Sequence, residues 1–325
     1  MVCRRWRVWA LMSLAGAISL AAGPGGLPYS ANDMENAHGA DAVKIREAIL
    51  KAAPSGAAAL ATYGSNVATE FTRTNLGVNS KNPDARLNSA ILIAQLQTIS
   101  TDTALEDMLK SSDPSVRFWA AKGLADIAAG LKPVGGGAVG RAVSTLSAAV
   151  KTEKSGVVIQ EIIQALSRFG DPAAIRTGLA AVVTQISANQ LDVEMFHAAG
   201  AGLSALAPSV GSGTAAEKVD SASLAATLAS LSAQQLVNYN NTLAAASQTL
   251  PKSALDATHA VVSAASQVAD AATGKRYTAP AGSSPDEILF NVNSLFGTPG
   301  SGGGTLQKDL PGVATPPAVA SSSAH

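Results

Sequence analysis

Residues able to carry polar chemistry are few and far apart in this chain. Its 325 residues include four histidines, His38, His197, His259 and His325, and a single cysteine, Cys3. Glu194 stands three positions before His197, a spacing that puts both on one face of a helix, where a metal ion would find two of the three or four ligands it needs. The competing reading of His197 is a packed or half-exposed helix residue, and loss of a bound metal on His197→Ala separates the two. Ser212 lies between Gly211 and Gly213 but lacks the strand and the spacing of a nucleophile elbow. Gly135-Gly136-Gly137-Ala138-Val139-Gly140 precedes a helical pattern and would offer N–H groups to a phosphate. It lacks the Gly-Lys-Ser/Thr ending of a phosphate loop and no strand comes before it, so a flexible connection from Lys132 to Gly140 is the simpler account. No Cys-x-x-Cys-His haem attachment occurs. The sequence therefore predicts no catalytic, metal-binding or cofactor-binding residue, and no cofactor.

Much stronger is the patterning of the elements around these residues. From Asp113, a capping residue type, and Pro114, which suits the first helical position because it has no N–H to leave unpaired, Val116, Trp119, Ala120, Gly123, Leu124 and Ile127 follow at offsets 0, 3, 4, 7, 8 and 11. That spacing gathers them on one helical face. Ala104, Leu105, Met108 and Leu109 form a shorter stripe just upstream, so Lys110 to Asp113 must be a tight turn between antiparallel helices. Asp113, Pro114, Val116, Arg117, Ala120 and Leu124 stand where a HEAT repeat has its turn Asp and Pro, its Val-Arg pair and its spaced small and apolar residues, and residues 104–124 resemble that family. The resemblance implies an α-solenoid that binds other proteins along one surface, with Arg117 and a turn acid joining neighbouring repeats. Phe118 falls off the apolar stripe, at a seam between repeats or exposed to a partner, whereas Trp119 lies on the stripe and reads as core. Phe118 and Arg117 are thus the candidate interaction residues.

The same pattern recurs around the anchors Leu87, Val116, Val158 and Met195, spaced by 29, 42 and 37 residues, with Asp84, Asp113, Ser155 and Asp192 three positions before them as helix caps. Helical hairpins at such periods indicate a solenoid whose units bury their faces against each other. An irregular helical bundle is the alternative. The expected class is all-α, a short solenoid of antiparallel hairpins over residues 40–272, with Ser221–Ser232, Ala233–Leu250 and Lys252–Ala272 as a degenerate repeat and a capping helix. Thr74 to Pro83 and Pro208 to Gly213 read as loops. Residues 273–325, rich in Gly, Pro and Ser, read as a disordered tail with one short helix at 286–296.

Arg4, Arg5 and Arg7, an apolar run from Val8 to Leu20 and the small residues Ser19-Leu20-Ala21-Ala22 make residues 1–22 a secretory signal, followed by a flexible leader over 23–39. The apolar run is short of the ~20 residues a spanning helix needs, which favours cleavage near Ala21 or Ala22 over a retained anchor or an internal helix. Cleavage would leave a chain without cysteine, without a membrane span, and with 20 basic against 23 acidic residues. That balance offers no basic face to a nucleic acid, and the missing cysteines suit a bacterial periplasm or envelope. With 47% hydrophobic but 4% aromatic residues, the core must be filled by small side chains. The expected function is a non-enzymatic scaffold for an unidentified protein partner. The rivals are a self-assembling envelope component built on the Ala-rich helices of 221–272 and a metal-dependent enzyme using His197.

Overall fold

Amphipathic helices that cannot bury their apolar faces alone pair and stack here along the length of the chain. The computed structural model describes residues 26–319 apart from 75, 189 and 190; the expected signal at 1–22 lies outside them. Among the described residues there are α-helices and short 3-10 turns but no strand. A short N-terminal helix, α1 (Ala31–Glu35), is followed by α2 (Ala40–Lys51), α3 (Ala57–Arg73), α4 (Leu76–Asn79) and α5 (Pro83–Gln95). Then come four hairpins: α6 (Asp102–Met108) with α7 (Pro114–Leu131), α8 (Gly136–Thr152) with α9 (Gly156–Phe169), α10 (Pro172–Ala188) with α11 (Val193–Val210), and α12 (Ala215–Ala245) with α13 (Lys252–Thr273). The chain closes with α14 (Pro285–Phe296) and α15 (Thr305–Asp309).

The hairpins stack in two layers. Helices α5, α7, α9, α11 and α13 pack successively in one, and α6, α8, α10, α12 and α14 in the other. This is the solenoid of antiparallel hairpins that the periodic stripes predict; in α7 every predicted stripe residue except Trp119 is buried, and Ala121, Ala125, Ala128 and Leu131 are buried besides. Small residues let the layers approach: a Cβ on Gly123 would meet Leu105 Cδ2 at 2.7 Å and the Ala94 Cα at 3.1 Å, and one on Gly202 would meet Leu179 Cδ2 at 2.6 Å. Both glycines sit seven residues after their anchors, Val116 and Met195, so one slot of the repeat is held small by the same contact.

Several boundaries differ from expectation. Residues 26–39 are not a flexible leader: Leu27, Ala31 and Met34 are fully buried, Ser30 and Asp33 form a capping box, and the Asn82 amide donates to the carbonyls of Glu35 (2.8 Å) and Ala37 (2.7 Å). The Gly run before α8 is helical from Gly136, because Gly135 at φ +108° turns the chain sharply and the helix continues without a clash. Helix α4 interrupts the expected 74–83 loop, and α11 runs on through Pro208 to Val210. The two helices expected at 221–232 and 233–250 are one, α12, with no breaker between Ser232 and Ala233. Its periodicity is blurred because Leu228 to Ala233 are all buried, covered on every side of the helix.

The segment after Thr273 also differs from a disordered tail as far as residue 319. Pro285, Ile288, Val292, Leu295 and Phe296 bury the inner face of α14 against α12, and Leu306 of α15 is fully buried. The short helix expected at 286–296 starts one residue earlier, at Pro285, with Ser284 as its cap. Composition misled here because a few apolar residues among many Gly and Pro residues are enough when the last hairpin supplies a surface to dock on.

Candidate protein-interaction surface

Three of the five helices in the α5–α13 layer, α5, α7 and α11, open on a side-chain cap. Asp113 caps α7 by accepting from the Ser115 N–H (2.9 Å), Asp192 caps α11 by accepting from the Glu194 N–H (3.0 Å), and Asn82, not Asp84, caps α5, with Pro83 at its first position. Asp84 instead accepts from the Gly39 N–H (2.8 Å). Ser155 occupies the cap of α9 without a side-chain bond. The register of the second repeat is therefore set by its proline: Asn82-Pro83-Asp84-Ala85-Arg86 corresponds in order to Asp113-Pro114-Ser115-Val116-Arg117. Its buried anchor is Ala85, whereas Leu87 is half-exposed. The shared Pro-x-apolar-Arg pattern is readable in the sequence, but anchoring on Asp shifts the frame by two residues.

That shift hides a second ladder arginine. Arg86 donates to the Ser80 carbonyl (2.6 Å) and its guanidinium lies 3.7 Å from Asp113 of the next turn. Arg117 repeats this, donating to the Ser111 carbonyl (2.8 Å) and, through Nε and Nη2, to both oxygens of Glu153 (2.5 and 2.9 Å). Arg46 donates to Asn88 (2.9 Å) in the same sense, from α2 to α5. Glu153 is buried, and burial pushes its carboxyl up. The Arg117 fork and the N–H groups of Ser155 and Lys154 outweigh this and hold it below the usual carboxylate range. The expected role of Arg117 in joining neighbouring turns is thus met geometrically, and Arg117 is consumed by that role.

Phe118 and Trp119 are both half-buried and meet edge to face, ring centroids 5.8 Å apart. Trp119 is not fully buried as its place on the stripe predicts; with Phe118 it packs against the edge of the core. Leu87, Pro114, Ser115, Phe118, Trp119, Ser155, Val157 and Val158 enclose a groove of about 370 Å³ along the starts of α5, α7 and α9, and Val157 is 45% exposed. Further along α7 and α9 the same side becomes charged: Arg168 pairs with Asp126 (3.0 Å), and burial raises the Glu161 carboxyl although Lys122 stands close by. A partner laid across these helices would meet an apolar anchor site flanked by charges of both signs, the arrangement of interfaces in which a few aromatic contacts carry most of the affinity.

His197 is half-buried on α11. Among the described residues no three of His, Cys, Asp and Glu come together as a metal-binding group, and no helix is long and apolar enough to cross a membrane. A larger cleft of about 840 Å³ beside α13 and α14 is lined by His259, Tyr277, Glu287, Asn291 and Thr305 among others. Two of its polar groups are engaged in bracing it: Glu287 accepts from the Ser283 N–H (2.8 Å) and Tyr277 donates to Asp309 (2.7 Å).

Stacked helical hairpins with an arginine ladder through their turns define an α-solenoid of the repeat class. The family of HEAT repeats matches residues 74–167, and this part of the chain, from α4 to the last turn of α9, is a HEAT-repeat segment. Comparison with curated proteins and with solved structures gives no match. HEAT repeats in general mediate protein–protein interaction.

Proposed function

We infer that this protein is a non-enzymatic scaffold of the bacterial periplasm or cell envelope that binds a protein partner through the groove at Phe118, Trp119 and Val157. The observation that carries this reading is an apolar groove on the HEAT-repeat segment in which a partly buried aromatic pair borders Val157, left 45% exposed. The tripartite 1–22 segment and the absence of any cysteine beyond Cys3 support the location. N-terminal sequencing of the protein from fractionated cells tests it: a periplasmic chain starting near Ala22 or Gly23 agrees, and a cytosolic chain retaining Met1 does not.

A photo-reactive residue placed at Val157, with another at Gly140 on the exposed side of α8 as control, tests the surface. One dominant adduct from position 157 alone establishes the groove; equal labelling from both, or none from 157, removes it. The self-assembly reading, which the sequence places on the helices of 221–272, has one observation in its favour on the adjoining α14, where Phe290 is 71% exposed. Light scattering of Phe290→Ser against the parent chain distinguishes that reading, since only an assembly built on this face would lose mass.

A further inference from the structure

Residues 313–319 carry no secondary structure, yet they are held at defined points along α12. The Ala314 N–H donates to Ser223 Oγ (2.9 Å), the Gln234 amide donates to the Pro317 carbonyl (3.3 Å), and its oxygen accepts from the Val319 N–H (2.9 Å). From the other side the Gly300 N–H donates to the Pro316 carbonyl (3.1 Å). Eleven residues of helix separate Ser223 from Gln234, about 16 Å at the α-helical rise. Five residues separate Ala314 from Val319, also about 16 Å at the ~3.1 Å rise of a polyproline helix. The strap is therefore extended and runs parallel to α12. Val313 and Pro316 are buried and Val319 half-buried, while Ala314, Thr315, Pro317 and Ala318 are exposed. Every third residue faces in, as the threefold symmetry of a polyproline helix requires.

We propose that this face of α12 is a binding groove for extended, proline-containing peptides with apolar residues three apart, and that the chain's own residues 313–319 occupy it as an exchangeable pseudo-ligand. Four of the contacts go to the strap's main chain, so they read an extended backbone rather than a particular side chain, and Gln234 bridges a carbonyl and the N–H two residues on. Val219, Ser223, Ser230 and Gln234 lie at offsets 0, 4, 11 and 15, one face of a helix whose other sides are fixed by α10, α13 and α14. The strap's links to α15 and its exit are two long ones, Gln307 Nε2 to Thr315 Oγ1 (3.5 Å) and the Val313 N–H to the Leu310 carbonyl (3.4 Å), and Gly312 at φ +101°, against Val219, lies between the two segments. Among the described residues the strap has no ionic contact; three apolar anchors and a few neutral hydrogen bonds hold it. A tethered segment of this kind competes at the millimolar effective concentration of a short linker, and a partner peptide bearing the same pattern displaces it.

The test uses the full chain with Val313→Asp and Pro316→Asp, which put charge into the two buried positions of the strap. A fluorescein-labelled peptide of residues 310–319 is titrated against this variant and against the parent, and hydrogen exchange follows residues 311–319 in both. The expected result is loss of protection in the variant strap, peptide binding at least tenfold tighter than to the parent, and weaker binding when Gln234→Ala is added. Equal binding to variant and parent overturns the proposal, as does a released strap with no peptide bound, which would make the segment a brace. An unreleased strap overturns it too, because the buried anchors would then not be what holds it. A parent dimer that the two substitutions dissociate would assign the groove to a second copy instead and equally overturn it.

Discussion

Arg117 meets Glu153 two-pronged in a place where the acid is almost out of water, its side chain 3% exposed against 20% for the arginine. Removing one partner of such a pair strands the other, and costs of about 3–5 kcal/mol are typical when nothing else compensates. Glu153 keeps the N–H groups of Ser155 and Lys154, so Arg117→Ala should lower the unfolding free energy by a smaller amount, about 2–3 kcal/mol by urea denaturation. Lys110→Ala, which breaks an exposed pair with Asp107, should change it by less than ~1 kcal/mol. Because the folded-state Glu153 carboxyl titrates below its unfolded value, its stabilisation is complete above the ordinary glutamate pKa of ~4.3. It is lost as pH falls through the lower folded-state value. The stability difference between the parent and Glu153→Gln should therefore shrink on acidification below that pH, and a difference that grew would refute the assignment. Val157 lies outside this network: Val157→Asp should abolish co-purification of the partner while moving stability by no more than ~0.5 kcal/mol, as for other surface changes.

The helices respond to glycine replacement in opposite directions according to what lies across from them. Gly140 is an exposed position within α8, and a Cβ added there would have nothing within 4 Å, so Gly140→Ala should raise stability by up to ~1 kcal/mol through helix propensity alone. Gly202→Ala gains the same propensity but drives a methyl into Leu179, and Gly123→Ala into Leu105 and the Ala94 backbone. Overpacking of that kind costs about 1–3 kcal/mol, so both should be net destabilising. Thermal melts of the three variants check this, and a stabilised Gly202→Ala would mean the two layers are not in close contact there.

Across the whole molecule, stability is passed between neighbouring hairpins rather than pooled in one core. Phe296→Ala, which empties a fully buried site under α14, should cost about 3–5 kcal/mol locally. Hydrogen exchange should then rise in α14, in the strap at 313–319 and in α12, while α5 and α7, several hairpins away, keep their protection. Uniform loss of protection would mean that the stack unfolds as one unit. The aromatic groove and the strap also lie at different places in this stack, with the α10–α11 hairpin packed between the hairpins that carry them. Val157→Asp and Gln234→Ala therefore test the two binding proposals separately.

Helical periodicity over α7, α9 and α11 sufficed to specify an all-α stack from sequence, because a helix that buries one face against neighbours must carry apolar residues near offsets 0, 4, 7, 8 and 11 whichever neighbours they are. Asp113, Asp192 and the prolines marked where those helices begin, since capping is a local hydrogen bond. What only the tertiary structure decided is which surfaces close on which. Trp119 has the spacing of a core residue, yet is only partly buried, at the edge of the core beside Phe118. Arg86 and Glu153 are ordinary surface types in sequence, and become partners only when the turns of successive hairpins line up. The segments at 26–39 and 274–319 are too poor in apolar residues to order themselves, so their composition alone points to disorder. They are ordered by faces of α3, α5 and α12 assembled from elsewhere in the chain, and a surface that exists only after folding leaves no trace in local composition.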